Sequence, residues 1–570
     1  MNKNARLKYD FTNIEIIITD SKDLLNFAYK NKLSRKAKIF STSPSINFDE
    51  TLNVIKLEKY YSLSKNIKLK ESIKKLFYKI SFFLGKHKNT KILNGIAMRE
   101  ICLLIPFYER CLLLNSLNLK KKILVLEHQN YRTPYEELFS NLEGIEFLIL
   151  NNTDTEIKNF TLEKYKSKFL QKENLILTIL NYFKSIKQQW LISKWMWFFY
   201  PFLKFMWKMI NFLRLNKGFL IINDSSLIRE TSCWLSMAGY SFTHERFVIE
   251  DIYRKSQNSK NDEVLQEKLK KIFQDHFKSF FSDTLNKAIS KISSYKISIH
   301  YNSMKEVIPK FDEFIEKKNI KAVMSVIFKN VAQFAFYESL KKKKIKLILF
   351  QHGVAREISK FCDYLTPFLE GSNSDFFITF NKKSKDLYSN SKLNTALNFD
   401  AGVSKDYFIQ SKSEYNNFPP ILYNFTGIYS NQRIISRGLL DSEIAIFEIS
   451  ILNRVLKKLP HKVLFKTYPN TWDYPDENPI LKEANKIENL KVYNKNIDSR
   501  FIMHKSRIIV TSRLTSTLSW SIMSGKPVIF LNIDETVFSR SDVMKYIKDS
   551  IIVFDKNEKN FYSHARSFLS

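Results

Sequence analysis

A histidine at the end of an apolar segment is the residue of this sequence best placed to meet a substrate. Four apolar residues, Leu347-Ile348-Leu349-Phe350, are followed by Gln351-His352-Gly353. The apolar run predicts a buried strand, and the polar turn would lie at its carboxyl end, where open α/β sheets bind ligands. Gly353 leaves the histidine with little steric cover. We therefore expect an active site here, with Gln351 and Gly353 lining its cleft.

A second polar segment combines hydroxyl side chains with a predicted helix start. In the segment 508–532, a strand ends at Thr511, and Thr515, Ser516 and Thr517 then open a helix. Such residues cap free backbone N–H groups, and the same N–H groups and the positive helix end also bind phosphate. The sequence leaves both interpretations open. The position of the segment, one strand after a lysine-containing turn, favours phosphate binding.

That lysine-containing turn is Lys466-Thr467-Tyr468-Pro469, which follows the predicted strand 462–465. Lys466 could pair with a phosphate, and Tyr468 could donate a hydrogen bond from its hydroxyl. Pro469 would hold the turn at a fixed φ. An exposed lysine after a strand is commonplace, so this turn indicates a phosphate site only in combination with the other two segments.

These segments need an α/β scaffold. Apolar runs that predict strands alternate with helical patterns, which is typical of parallel sheets. The predicted strands span 14–19, 123–126, 145–150, 219–222, 322–327, 347–350, 375–380, 421–425, 462–465, 508–511 and 527–531. The helix predicted over 330–340 joins two of them into a βαβ unit that ends at His352.

Length and pattern together predict two α/β domains, because 570 residues exceed a single core. We place the boundary at Pro419-Pro420, giving an N-terminal domain over residues 1–417 and a C-terminal domain over 418–570. A mostly helical segment, about 154–216, interrupts the first domain as an insertion. The strand at 219–222 is expected to resume the same sheet after it.

Charge and composition narrow the class of protein. The formal charge of +34 could attract nucleic acid, anionic lipid or nucleotide phosphates, but the lysines are spread along the whole chain. No nucleic-acid motif is present, so we expect no nucleic-acid partner. Four separated cysteines without a CxxC pair argue against a zinc ribbon and fit a reducing cytosol. No secretory signal is visible near Met1.

The insertion carries a cluster of aromatic residues. Four of the seven tryptophans fall between Trp190 and Trp207, beside lysines and Pro201. Its longest uncharged run is nine residues, whereas a spanning helix needs about 20. Two interpretations stay open. The segment is a pair of core helices, or it is an interfacial anchor whose apolar face enters the headgroup boundary of the inner membrane.

Taken together, the three segments resemble the GT-B glycosyltransferases of bacterial surface polysaccharides. The kin we can name are capsule-type Kdo and sialic-acid transferases and CDP-glycerol glycerophosphotransferases. That superfamily shows a His-Gly turn, a Lys-x-His-Pro turn, and a Ser/Thr-rich helix start followed by Gly-Lys-Pro-Val-Ile. The matching residues here are His352-Gly353, Lys466 to Pro469, Thr515 to Thr517 and Gly525 to Ile529. The resemblance covers about 320–532 and implies two Rossmann-like domains that face a cleft.

The resemblance also implies a function and a set of roles. It implies transfer of a sugar from a nucleotide-activated donor, with a CMP-sugar favoured, to a glycan or lipid-linked acceptor at the cytoplasmic face of the inner membrane. His352 would be the general base. Lys466, Tyr468, Thr515, Ser516 and Thr517 would hold the donor phosphate, without a metal or a cofactor. Transfer of a polyol phosphate from a CDP-linked donor is the alternative, and a non-catalytic basic protein that binds membrane or nucleic acid is the alternative of another class.

Two residues depart from the family pattern. Tyr468 stands where the family has histidine, and this keeps a hydrogen-bond donor but loses a titrating group. Trp520 stands where many sugar-nucleotide enzymes place a glutamate that holds ribose hydroxyls.

Overall fold

The polypeptide forms three parallel β-sheets with helices packed on their faces. The computed structural model describes residues 13–30, 36–41, 43–47, 54–60, 62–84, 90–117, 122–127, 135–142, 147–151, 202, 205–207, 209, 218–245, 248–255, 261–328, 330–353, 370–371, 373–391, 394–404, 418–425, 427–428, 441–467, 474, 476–493, 499–533 and 541–570.

The first sheet has the strand order β3-β2-β1-β4-β5. Its strands are β1 (Ile16–Thr19), β2 (Lys38–Ser41), β3 (Val54–Lys56), β4 (Ile123–Glu127) and β5 (Phe147–Asn151). The helices of this region are α1 (Lys22–Lys30), α2 (Pro44–Asn47), α3 (Leu63–Leu84), α4 (Thr90–Leu114) and α5 (Tyr135–Phe139). Strands β1 and β4 are fully buried and, apart from Thr19 and Glu127 at their ends, apolar, as expected for central strands that are covered on both faces.

The second sheet has the order β11-β10-β9-β8-β6-β7. Its strands are β6 (Gly218–Ile221), β7 (Phe242–His244), β8 (Ile320–Ser325), β9 (Lys346–Phe350), β10 (Phe376–Thr379) and β11 (Leu397–Asp400). Its helices are α6 (Ser226–Met237), α7 (Val248–Arg254), α8 (Glu263–Phe277), α9 (Asp283–Lys318), α10 (Val331–Lys342) and α11 (Lys382–Ser389). The predicted βαβ unit is confirmed, because β8 and β9 pair in parallel and α10 connects them.

The third sheet belongs to the C-terminal region, residues 418–570, and has the order β14-β13-β12-β15-β16-β17. Its strands are β12 (Ile421–Asn424), β13 (Val463–Lys466), β14 (Leu490–Tyr493), β15 (Ile508–Thr511), β16 (Val528–Asn532) and β17 (Ile552–Asp555). Its helices are α12 (Asp441–Arg454), α13 (Pro479–Ala484), α14 (Arg500–Met503), α15 (Ser516–Met523), α16 (Ser541–Ser550) and α17 (Phe561–Leu569). Gly525 follows α15 with φ of 69°, a left-handed conformation that is typical of a glycine just past a helix end.

The α/β class with Rossmann-like parallel sheets is therefore confirmed, but one expectation about its organisation is wrong. The strand at 219–222 does not resume the first sheet: β6 pairs with β7 and β8 and opens the second sheet. The order of strands along the chain does not determine which strands pair, because pairing is a non-local choice between equally apolar edges. The two sheets nevertheless share one hydrophobic core, which joins Ile18 of β1 to Leu349 of β9 through α4 and α9.

The predicted helical insertion, 154–216, lies outside the described residues except for five positions near its end. Two of these positions differ sharply in exposure. Trp207 is 2% exposed and packs on Phe242 with ring centroids 4.6 Å apart, whereas Phe205 is 63% exposed. At Trp207 the core interpretation therefore holds. None of the helices in the described parts of the chain is long and apolar enough to cross a membrane.

Candidate functional site

The strand order of the third sheet places a crevice at one defined point. Numbered along the chain, the order is that of a doubly wound sheet, in which the first strand of the region, β12, lies beside the fourth, β15. In a sheet of this order the connections on the two sides of this point run to opposite faces, and a crevice is expected between β12 and β15. Ligands of open α/β sheets bind in such a crevice, outside the carboxyl ends of the strands.

A row of buried polar side chains lines the carboxyl edge at this crevice. Asn424 pairs in register with Lys466 on one side and with Thr511 on the other, so the three side chains share one face of the sheet. Two positions earlier on the same face, Leu422 and Leu464 belong to the hydrophobic core. The row therefore marks where the interior changes from apolar to polar.

Two members of this row lack partners. Asn424 is 1% exposed, Thr511 is fully buried, and within the described residues neither the Asn424 amide nor the Thr511 hydroxyl has a hydrogen-bond partner. A buried polar group without a partner costs on the order of 1–3 kcal/mol. A ligand that supplied these hydrogen bonds would recover that free energy, so this edge is a candidate binding site.

Lys466 is buried beside them. Its Nζ donates a hydrogen bond to the carbonyl oxygen of Thr467 at 2.6 Å and lies 5.7 Å from the centroid of the Tyr493 ring. The side chain thus turns back onto its own strand end rather than into solvent. Its predicted partner in the turn, Tyr468, lies outside the described residues.

The start of α15 combines a side-chain cap with backbone and hydroxyl donors beside it. Thr515 is the cap, and its Oγ1 accepts a hydrogen bond from the Thr517 amide at 3.3 Å. The Ser516 amide and the hydroxyls of Ser516 and Thr517 make no hydrogen bond within the described part of the chain, and both residues are half-buried. One residue therefore caps the helix, while its two neighbours still present donors at the positive helix end.

A buried carboxylate on the opposite face of the sheet supports this helix start. Glu448 of α12 accepts hydrogen bonds from the hydroxyls of Tyr423 and Ser512, both at 2.6 Å. Burial raises the pKa of Glu448, while these two hydrogen bonds and the charge of buried Arg513 act in the opposite direction. The network connects β12, α12 and the loop that leads to Thr515. Sequence reasoning missed this network. The available signal was Glu448 itself, a single carboxylate with apolar residues on both sides in α12.

Trp520 joins the third sheet to the second. It packs against the core below α15 and also against the apolar cluster of the second sheet, and the Arg500 guanidinium carbon lies 4.6 Å from its ring centroid. Met523, one turn later on α15, packs against the same cluster of the second sheet. Trp520 therefore makes a contact between the two sheets.

His352 lies at the carboxyl end of β9 in the second sheet, and its side chain is exposed. The adjacent Gln351 is buried and holds the turn: its Nε2 donates to the Gly353 carbonyl at 2.7 Å, and its Oε1 accepts from the Phe380 amide at 2.9 Å. Both ends of the Gln351 amide are therefore used inside the protein. Gln351 and Gly353 are thus fixed by hydrogen bonds, and His352 between them is the side chain of the turn that reaches solvent.

The predicted site residues thus fall into two groups. His352 with its turn belongs to the second sheet, whereas Lys466 and Thr515 to Thr517 share the carboxyl edge of the third. Within the described ranges, no group of three or more His, Cys, Asp or Glu side chains is placed to hold a metal ion.

The first sheet contacts the C-terminal region through a carboxylate. Both carboxylate oxygens of Asp476 lie 3.1 Å from the backbone nitrogen of Lys22, in the first turn of α1, and this amide donates to them. Two further bonds cross the same boundary, from Ser45 Oγ to the Glu477 carbonyl at 2.9 Å and from Asn47 Nδ2 to Ser442 Oγ at 2.7 Å. Asp476 therefore occupies the amino end of α1, just after β1.

This contact is expected to make stability depend on pH. Burial raises the pKa of Asp476 to about 7, and the charge of Asp23 adds to that rise. The pKa of an aspartate in an unfolded chain is about 3.9. Because the folded pKa is the higher one, the stabilisation is complete below about pH 4 and is lost as the pH rises through about 7. Asp476→Asn keeps an acceptor oxygen without the charge. We expect this variant to melt above the wild type at about pH 8 and the gap to narrow at about pH 5 in thermal unfolding. A gap that is constant, or that widens in acid, would contradict the assignment.

Comparison with known proteins adds structural likenesses only. No family model matches the chain. No curated protein matches it in sequence either. Among solved structures, MurG from Acinetobacter baumannii is 10% identical, with 62% of this chain and 90% of that chain covered and a TM-score of 0.33. The UDP-GlcNAc 2-epimerase from Neisseria meningitidis bound to UDP-GlcNAc is 12% identical, with 61% and 90% covered and a TM-score of 0.34. Arabidopsis thaliana UGT89C1 complexed with UDP-L-rhamnose is 10% identical, with 65% and 85% covered and a TM-score of 0.32. Likenesses of this size carry no conclusion about activity, and the α/β class of this chain rests on its own three parallel sheets.

Proposed function

We propose that the chain is a GT-B-type glycosyltransferase of bacterial surface polysaccharide synthesis. It transfers a sugar from a nucleotide-activated donor, with a CMP-sugar favoured, to a glycan or lipid-linked acceptor. The donor binds at the carboxyl edge of the third sheet, and the acceptor binds on the side of His352. The kinship of the three sequence segments to capsule and related transferases motivates the choice of reaction.

One observation carries the proposal. The buried Asn424 and Thr511 side chains lack partners at the crevice of a doubly wound sheet, beside Lys466 and an α15 start that still presents donors. Unmet buried hydrogen-bonding groups are costly, so a protein keeps them where a ligand satisfies them. Donors at a helix start favour an anionic group, and a nucleotide phosphate meets this requirement.

The proposed chemistry needs a base and a stabilised leaving group. The acceptor hydroxyl gives its proton to neutral His352 while its oxygen attacks the anomeric carbon of the donor. The bond from that carbon to the phosphate oxygen breaks, and the electron pair leaves with the nucleotide. Lys466, Ser516 and Thr517 stabilise the charge that develops on the phosphate, which removes the need for a metal ion. Tyr468 would add a hydroxyl donor to the same group.

Attachment to the inner-membrane surface is part of the proposal. Phe202 and Phe205 are 57% and 63% exposed, and Met209 is 48% exposed, while Trp207 between them is buried. Exposed large apolar side chains beside lysines are typical of segments that insert into the headgroup boundary. The proposed site of action is therefore the cytoplasmic face of that membrane, where a lipid-linked acceptor would be held.

The first test is thermal unfolding in the presence of CMP, CDP, UDP, GDP or ADP. We expect one nucleotide to stabilise the protein selectively, by about 2.7 kcal/mol when it is present at about 100 times its dissociation constant. Ser516→Ala should weaken that stabilisation, because it removes a hydroxyl beside the proposed phosphate. Ser550→Ala, at the exposed end of α16, is the matched control and should behave as the wild type.

The panel also separates the alternatives. Selectivity for CDP together with transfer of glycerol phosphate would replace the sugar donor with a polyol-phosphate donor. Salt-dependent binding of DNA without any nucleotide selectivity would favour the non-catalytic basic protein. If every nucleotide stabilised the wild type and Ser516→Ala equally, the carboxyl edge of the third sheet would not be the donor site.

A further inference from the structure

The outer face of helix α3 carries a local concentration of positive charge. Between Lys56 and Lys91 the sequence contains 11 lysines, two glutamates and no arginine. Six of these lysines and one of the glutamates, Glu71, belong to α3 itself. Lysines occur along the whole chain, but at this helix they are dense and few carboxylates accompany them. None of the residues proposed above for the donor or the base lies on α3.

The packing of α3 holds its lysines toward solvent. The inner side of the helix is fully buried in the hydrophobic core that the first two sheets share, through Leu69, Ile73, Leu76 and Ile80. Their spacing of four, three and four residues places them on one side of the helix. Because this side is fixed against the core, the lysines on the opposite side stay exposed.

Four of the exposed lysines form a straight row. Side chains that follow one another at spacings of three and four residues lie one above the other along a helix. In order along α3, the row consists of Lys65, Lys68, Ser72, Lys75, Lys79 and Phe82. From its first lysine to its last, the row is about 21 Å long at about 1.5 Å per residue. Phe82 at its end is 74% exposed, and Tyr78 beside it is 42% exposed.

The protein does not neutralise the charge of this lysine row. Within the described ranges, Lys65, Lys68, Lys75 and Lys79 are exposed and make no ion pair. Glu71, the carboxylate of the same helix, is also exposed and makes no ion pair there. The four lysines of the row therefore exceed the carboxylate beside them in charge.

The neighbouring helix α8 does not supply the missing negative charge. It meets the middle of the row, where Ser72 Oγ lies 2.7 Å from His276 Nε2. The pKa of His276 is lowered to about 4 by burial and then by the charges of Lys79 and Lys75, against the hydrogen bond with Ser72. Helix α8 itself carries three carboxylates and three lysines, so its own charges balance. The surface at the row is therefore positive.

The chemistry of this surface favours a bilayer as its partner. All of its cations are lysines, which act as point charges, whereas arginine is the residue that binds a single phosphate or nucleic acid in bidentate fashion. Exposed aromatic side chains beside lysines, here Phe82 and Tyr78, are typical of surfaces that meet the headgroup region of a membrane. A straight row on one side of a helix also touches a flat surface along its whole length.

From the straight lysine row, its unpaired charge and the aromatic side chains beside it, we propose that the outer face of α3 binds a bilayer surface that contains anionic phospholipid. The lysines contact lipid phosphates, and Phe82 enters the headgroup region. This surface is distinct from the segment 202–209, whose exposed side chains are apolar. The inference stands on α3 alone and does not depend on the transfer reaction proposed above.

Flotation of the full chain with two kinds of vesicle tests the partner. The vesicles contain phosphatidylcholine alone, or phosphatidylcholine with about 30% phosphatidylglycerol. We expect binding to the anionic vesicles to be at least about tenfold tighter, because lysines near an anionic bilayer are attracted to it. Raising the salt concentration from about 50 to about 500 mM should abolish this preference, since salt screens exposed charges. Equal binding to the two kinds of vesicle, or no binding to either, would overturn the proposal.

Matched double variants locate the binding. Lys75→Gln combined with Lys79→Gln should weaken binding to anionic vesicles by about 30-fold, since each lysine contributes about 1 kcal/mol at such a surface. Lys556→Gln combined with Lys559→Gln is the control. It removes two exposed lysines without ion pairs from the C-terminal region and should bind as the wild type. Equal affinities in the two double variants would show that overall charge, and not α3, attracts the vesicles, and would contradict the proposal.

Two further measurements separate this surface from its competitors. Phe205→Ser, in the segment proposed above to enter the membrane, should keep the preference for anionic vesicles. Loss of that preference in Phe205→Ser, with the α3 double variant unaffected, would assign lipid selectivity to that segment instead. Duplex DNA should bind more weakly than anionic vesicles at equal salt. Tighter binding to DNA that the α3 substitutions weaken would assign the lysine row to nucleic acid and overturn the proposal.

Discussion

Lys466→Met is expected to weaken binding of the stabilising nucleotide by about 10- to 100-fold while the fold stays about as stable as the wild type. A charge-assisted hydrogen bond to a phosphate contributes about 1.5–3 kcal/mol. The lysine is 1% exposed, so the free protein bears the cost of keeping its amino group out of water. Methionine has a similar length and removes that cost, which offsets the lost bond to the Thr467 carbonyl. Binding and stability should therefore separate.

Calorimetric titration and thermal unfolding of the same preparations measure the two effects. Lys462→Met is the control, because Lys462 is an exposed lysine just before the same strand, β13. It should change neither quantity. Equal nucleotide affinity in the two variants would show that Lys466 does not hold the donor. A lower melting temperature in Lys466→Met alone, with unchanged affinity, would assign the residue a structural role.

Glu448→Ala is expected to produce the largest loss of stability, about 3–5 kcal/mol in the free energy of unfolding. The substitution strands the Tyr423 and Ser512 hydroxyls without their acceptor and leaves buried Arg513 without the nearby carboxylate. It also leaves a cavity between α12 and the sheet, where the Glu448 side chain was. Glu448→Gln should cost less, because it keeps an acceptor oxygen and resembles the protonated acid that the raised pKa favours.

Denaturant unfolding followed by tryptophan fluorescence measures these losses. Glu443→Ala is the matched control, an exposed glutamate on the first turn of the same helix, and should change stability by at most about 0.5 kcal/mol. A loss in Glu448→Ala no larger than that of the control would show that the network contributes little. Because Ser512 leads into the loop before Thr515, nucleotide affinity should fall together with stability.

The central strands could be predicted from the sequence because they are apolar. The runs that became β4, β9 and β13 are buried along almost their whole length, and burial on both faces requires continuous apolar residues. Two edge strands, β3 and β11, were missed for the same reason, whereas the edge strand β5 was predicted over 145–150. Strand β11 is mostly exposed and ends in aspartate, and β3 has three residues, so neither shows an apolar run.

The candidate site could be predicted only where residues stand at the end of an apolar run or shortly after it. Lys466 and Ser516 stand at such positions, and the structure places both at the carboxyl edge of one sheet. Asn424 could not be identified, because its significance depends on its register with two other strands and on burial without a partner. Glu448 acts from a helix on the opposite face, at a distance in sequence that no local pattern connects to Ser512.

The carboxylate at the amino end of α1 changes the role of the first sheet. The turn after β1 in a Rossmann-like sheet is the corner where a helix start meets the phosphate of a ligand. Here that corner is filled by Asp476, which comes from the C-terminal region of the same chain and reaches it with both oxygens. The Asp476 side chain occupies the position at the first sheet where a ligand's anionic group would bind. An architecture that elsewhere captures a cofactor therefore serves assembly in this protein, because the group it recognises is another part of the polypeptide.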